Sequence, residues 1–99
     1  MRPGRPAVGG RGPRWVLEHR GQRLSQAQLD ALGLFAQVGG HGYGKHGRVS
    51  RPTAESLQRM GLVTLSERPS QRQTGPIPWG EATARGREAL AAWHVLREG

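Results

Sequence analysis

Residues 47–67, GRVSRPTAESLQRMGLVTLSE, constrain the fold more than any other stretch, because they specify a helix, a stop and a strand in immediate succession. Ser50 is a cap residue, Pro52 fits a first turn whose amides lack intrahelical partners, and Gly61 suits a left-handed helix end. Ala54, Leu57 and Met60 share one face of that helix. The opposite face carries Arg51, Thr53, Glu55, Gln58 and Arg59, groups that reach phosphates and base edges or simply form a solvated surface. After Gly61 the run Leu62, Val63, Thr64, Leu65 is apolar and β-branched, so the spacing turns from helical to extended.

Everything else must be built around that unit within 99 residues, which is room for one domain with one modest core. The sequence divides into a basic arm over residues 1–14 and a folded domain over 15–99. MRPGRPAVGGRGPR is Gly, Pro and Arg with almost nothing to bury, the composition of a disordered arm that either follows a phosphate backbone or only solubilises the chain. Trp15–Leu17 begin order. The following EHRGQRLS reads equally as a strand with a turn at Gly21 or as a helical lead-in. Ser25 with Gln28 forms a capping box, and Leu29, Leu32, Phe35, Ala36 and Val38 supply an apolar stripe that ends at Gly39–Gly40.

The segment HGYGKHG is either a loose connection or a place where backbone must come close to something. Past the 62–67 strand, RPSQRQTGPIP is a loop. Ile77 and Trp79 then suggest a returning strand, which the prolines place at a sheet edge. Thr83 caps a last helix with Ala89, Leu90, Trp93 and Leu96 on one face, and Arg85, Arg87, Glu88 and Arg97 largely outside it. The three Trp, at 15, 79 and 93, sit beside apolar neighbours and are read as core, with base stacking the lesser reading.

The net charge of +8 implies an anionic partner. Residues 1–24 hold six Arg against one Glu, and Lys45 is the single lysine of the chain. Arg suits bidentate contacts to phosphate or guanine, although Arg-heavy usage also follows from a GC-rich genome. With no Cys, disulfides, thiolate chemistry and zinc-finger ligation are excluded. There is no run of transmembrane length and no apolar segment after the basic start, so a cytoplasmic, nucleoid-associated protein without a membrane partner is expected.

Catalysis has little to work with, since the seven acidic residues are scattered and Ser25, Ser50 and Thr83 serve as caps; no enzyme activity and no cofactor are expected. GGHGYGKH contains GxxxxGK, but His46 stands where a P-loop needs Ser or Thr, and a helix precedes it where a strand is required. His41 and His46 lack a Cys or a helical i, i+4 partner, so no metal site is expected.

The order helix, connection, helix, hairpin, helix resembles a winged helix-turn-helix DNA-binding domain of MarR/PadR-like type, an α+β fold, over residues 25–97. VSRPTAESLQRMGLV is similar to the recognition helix entering the first wing strand. EATARGREALAAW is similar to the family pattern LTPxGRxAL: Thr83, Gly86, Arg87, Ala89 and Leu90 match, whereas Ala82 replaces the apolar residue and Ala84 the Pro. The family has a further helix ahead of its recognition helix, where this chain has only glycine-rich residues 39–47.

The resemblance implies sequence-preferring binding of double-stranded DNA by a transcriptional regulator or a mobile-element or phage accessory factor, as a monomer or small homodimer. It puts Arg51, Thr53, Gln58 and Arg59 in the major groove and Arg68 and Arg72 on the wing. Arg48, Ser50 and Lys45 at the helix entry complete the DNA-binding set. A good bidentate Arg–guanine or Gln–adenine pair is worth about 1–3 kcal/mol of discrimination. The alternative is a non-enzymatic protein- or RNA-interaction subunit of a larger complex, docking through the Trp93 helix.

Overall fold

Local signals determine where the helices begin. In the computed structural model, which describes residues 14–69 and 75–98, Ser25 and Gln28 form both halves of the capping box and launch α1 (Gln26–Phe35). Ser50 caps α2 (Arg51–Arg59), with Pro52 in its first turn. Thr83 accepts the Gly86 amide at 3.1 Å at the start of α3 (Ala84–Glu98). Gly61, at φ 78°, then turns α2 into a strand, the helix–glycine–strand unit expected from sequence. The described residues form a small α+β domain of three helices and two antiparallel sheets.

The first sheet is a hairpin, β1 (Trp15–His19) with β2 (Gln22–Ser25), which decides in favour of a strand over residues 15–24. Arg20 and Gly21 at its tip both have positive φ, 52° and 80°, the pairing that a tight two-residue hairpin turn demands. The second sheet joins three strands, β3 (His41–Gly42), β4 (Val63–Arg68) and β5 (Ile77–Ala82), in the order β3-β5-β4. The expectation that prolines hold β5 at an edge is therefore corrected: it is the middle strand. Pro78 is tolerated because the short β3 pairs only with Trp79 and Gly80, and because its carbonyl, which proline retains, accepts the Tyr43 amide at 3.2 Å.

Residues 39–47 approach neighbouring backbone closely. Besides β3 they contain a single 3-10 turn, Gly44–His46, where the resembled family has a helix. A Cβ on Gly47 would lie 1.9 Å from the Gly42 carbonyl oxygen, so no side chain fits there.

Leu24, Leu29, Leu32, Phe35, Ala54, Leu57, Leu62, Val63 and Ala89 form the dry centre of the core. Thr83 joins two elements at its edge. Its amide bonds the Leu62 carbonyl at 2.9 Å and its hydroxyl donates to the Gly61 carbonyl at 2.8 Å, so the end of α2 and the start of α3 are held together.

Several expected core residues are not buried. Val38 lies beyond the end of α1, whose C-cap is Ala36, and is fully exposed. Leu96 is 57% exposed near the end of α3. Trp15 is 48% exposed, while Trp79 and Trp93 are half-buried. Trp79 anchors its indole by donating from Nε1 to the Gly39 carbonyl at 2.7 Å. Of the basic arm over residues 1–14, all but Arg14 lies outside the described residues.

Candidate nucleic-acid interface

The amphipathicity of α2 separates an inner from an outer face. Ala54 and Leu57 are fully buried against the core, and the Gln28 side chain donates to Ser56 Oγ at 2.9 Å to link α1 with α2. On the outside Arg51, Gln58 and Arg59 are exposed, with half-buried Glu55 between them. Arg51, Glu55 and Arg59 follow one another at intervals of four and so share a line along the helix.

Thr53 departs from that line. Its hydroxyl accepts from Ser50 Oγ at 2.9 Å, and it lies on the flank facing α1. There it helps to line a groove of about 560 Å³ with Ala27, Ala31, Leu34 and Val49. Ser50 has its oxygen engaged in the cap, at a long 3.4 Å from the Thr53 amide.

The approach to α2 is also basic. Lys45 on the 3-10 turn and Arg48 just before the helix are both exposed. Beyond α2, Arg68 ends β4 with its guanidinium 4.6 Å from the centre of the Trp79 ring. Strand alternation explains this pairing. Gly80 faces inward, where an added Cβ would meet the Phe35 ring at 2.7 Å, so Trp79 faces outward. Ser66 is its partner across the ladder and Arg68 stands two residues further along. Arg72 lies outside the described residues.

These cations differ from Arg20 and Arg87 in what they touch. Arg20 makes a two-pronged contact with Glu88, one prong at 3.1 Å, and His19 Nε2 reaches the same carboxylate at 2.7 Å. Hydrogen bonds from Arg20 and then His19 hold the Glu88 carboxyl down to about 2. Arg87 donates to the Ala36 carbonyl at 3.0 Å, closing the C-terminal end of α1. Among the described residues, Lys45, Arg48, Arg51, Arg59 and Arg68 are in no salt bridge. The same holds of Arg14, Arg23, Arg85 and Arg97.

Sequence reasoning missed Tyr43. It is 6% exposed, stands edge-on to Phe35 with ring centres 6.3 Å apart, and lies under Arg51, whose guanidinium carbon is 5.6 Å from its centre. Its one sequence signal was its type: it is the single tyrosine of the chain, set in a run of glycines. His41, on β3, has a buried Nε2 with no hydrogen-bond partner. Among the described residues no three His, Cys, Asp or Glu gather in a metal-holding group, and no helix is long and apolar enough to cross a membrane. No family model matches this chain, and no solved structure matches it.

Proposed function

We propose that this protein binds double-stranded DNA as a small winged helix-turn-helix module, with α2 as the recognition helix and the β4–β5 hairpin as the wing. The observation that carries this reading is a run of exposed cations on and beside one helix, Lys45 and Arg48 ahead of α2, Arg51 and Arg59 on it and Arg68 at the end of the next strand, none of them in a salt bridge among the described residues. Exposed guanidinium groups with free N–H edges suit phosphate oxygens and the O6 and N7 acceptors of guanine. Gln58 adds a group suited to adenine, and Glu55 one that accepts from the cytosine amino group. The strand order β3-β5-β4 and the hairpin directly after α2 agree with the wing assignment. Ser50 and Thr53 act mainly by forming the helix start, with Arg72 and the 1–14 arm as further phosphate contacts. A cytoplasmic, nucleoid-associated regulator or mobile-element accessory factor, acting without cofactor or catalysis, fits this chemistry.

Phosphate neutralisation then supplies most of the affinity. If all five cations contact phosphate, log Kd changes with log salt by a slope of roughly 4 to 5. Anisotropy titrations of a mixed-sequence duplex over a salt series measure that slope, to which the 1–14 arm adds, so deleting residues 1–14 should flatten it. Absence of duplex binding at low salt would overturn the reading.

One observation favours a second reading, a subunit that docks on protein or RNA through α3: Val95 and Leu96 are 69% and 57% exposed. A double Val95→Ser, Leu96→Ser variant separates the two. Duplex affinity equal to the wild type, with loss of an assembly partner, favours docking.

A further inference from the structure

Resting on the DNA-binding reading, we propose that Tyr43 is a positioning residue that sets Arg51 in place before DNA arrives and thereby makes Arg51 a specificity-determining contact. The residue is held by its backbone on two sides and its ring by Phe35. Its backbone amide bonds the Pro78 carbonyl of β5 at 3.2 Å, and the next amide, Gly44, bonds the Val49 carbonyl at 2.7 Å. Tyr43 itself bridges to Val49, the residue just before the α2 cap. Gly47 closes tightly over Gly42, and Phe35 meets the ring at an interplanar angle of 80°. A side chain so enclosed has little freedom left. It therefore presents a fixed aromatic face at the point where β5 meets the start of α2.

Arg51 is the first residue of α2 and its guanidinium lies over that face at 5.6 Å. Attraction between a cation and an aromatic face restricts the guanidinium, and among the described residues no carboxylate competes for its N–H donors. The long arginine side chain thus loses rotamer freedom in the free protein and keeps the donors that bidentate guanine contact uses. Ordering that precedes binding no longer opposes it. Because bidentate readout depends on geometry and phosphate attraction much less so, the ring should act on discrimination and leave bulk affinity nearly unchanged.

Arg59, two helical turns along the same line, provides the internal control. Among the described residues no aromatic ring lies under it. Its contribution should be indifferent to Tyr43.

The test uses the full chain and a pool of duplexes with a randomised centre, from which the wild type selects its preferred sequence. The readout is the ratio of affinities for that sequence and for bulk mixed-sequence duplex. Tyr43→Leu and Arg51→Ala should each lower the ratio, Arg51→Ala by about fivefold to a hundredfold. Their combination should lose no more than Arg51→Ala alone, whereas Tyr43→Leu and Arg59→Ala should combine additively. Tyr43→Phe keeps the ring and should keep the ratio, and the salt slope should be the same in Tyr43→Leu as in the wild type.

Additive losses for Tyr43→Leu and Arg51→Ala would overturn the proposal. So would a wild type that binds duplex without sequence preference, an outcome that leaves DNA binding itself standing. A wild type that binds no duplex overturns both. If Tyr43→Leu does not fold, the exposed Arg51→Lys substitution and proton shifts of the wild type decide. Ring-current displacement of the Arg51 side-chain protons upfield of those of Arg59, with loss of discrimination in Arg51→Lys, supports the proposal; coincident shifts or an unaltered ratio overturn it.

Discussion

The two hairpins each carry an arginine near the tip, and they use it in opposite ways. Arg20, at the tight turn between β1 and β2, is clasped by Glu88 of α3, so its donors serve the fold. Arg68, at the end of β4, lies over the Trp79 ring and, among the described residues, is in no salt bridge. A carboxylate occupies the edge of a guanidinium, whereas an aromatic ring occupies only its face. Formal charge counts both arginines alike. Which of them can attract a nucleic acid is decided by the group each one meets, and Arg51 over Tyr43 falls on the same side of the distinction as Arg68.

The seats of the hairpins differ too, and this is where the largest effect is expected. β5 lies directly on the core through Gly80, and a methyl group there would press on the Phe35 ring and on Leu65. Gly80→Ala should cost about 1–3 kcal/mol through overpacking. Phe35→Leu in the same chain should recover part of that loss, because the two sites share one space. Denaturant melts of the single and double variants measure it, and strictly additive losses would show that Phe35 is not what the added methyl meets. At Gly21 there is room for a methyl group but φ is +80°, so Gly21→Ala should cost about 1–2 kcal/mol from backbone strain alone, with no rescue by any core substitution.

Binding provides the next contrast. Arg68→Ala should weaken binding to mixed-sequence duplex and reduce the salt slope by about 1, whereas Arg20→Ala should leave both unchanged. Equal slopes for the two variants would erase the distinction between a clasped and a ring-backed arginine.

What could be read from the sequence follows the same division between near and far. The caps at Ser25, Ser50 and Thr83 and the stop at Gly61 were legible, since each depends on a partner within a few residues. Partners that are distant in sequence were not. The bond from Arg20 to Glu88 spans 68 positions, and the middle position of β5 depends on a two-residue β3 drawn from a glycine-rich run. Val38 and Leu96 were misplaced because helical spacing continues past the point where the helix still has core to cover. At the candidate site the residue types and the α2 face were legible. Which arginines are held over rings was not, because that depends on where Tyr43 and Trp79 end up.

The smallest effect concerns the clasp itself. Glu88 has an ordinary value of 4.5 and is held near 2 in the folded protein, first by Arg20 and then by His19. In the unfolded chain it takes up a proton as pH falls through 4.5, while in the folded protein it stays charged until pH nears 2. Over that window the unfolded state binds more protons, so stability rises with pH. The contribution of the clasp is complete above about 4.5 and lost as pH falls towards 2. Glu88→Gln should therefore flatten the pH dependence of Tm in that window and lower Tm slightly at neutral pH, by little because the pair is exposed to solvent and screened. Thermal melts across the window at low salt measure the difference, and parallel curves for wild type and variant would mean that Arg20 is as free as Arg68, leaving the contrast between the hairpins without a cause.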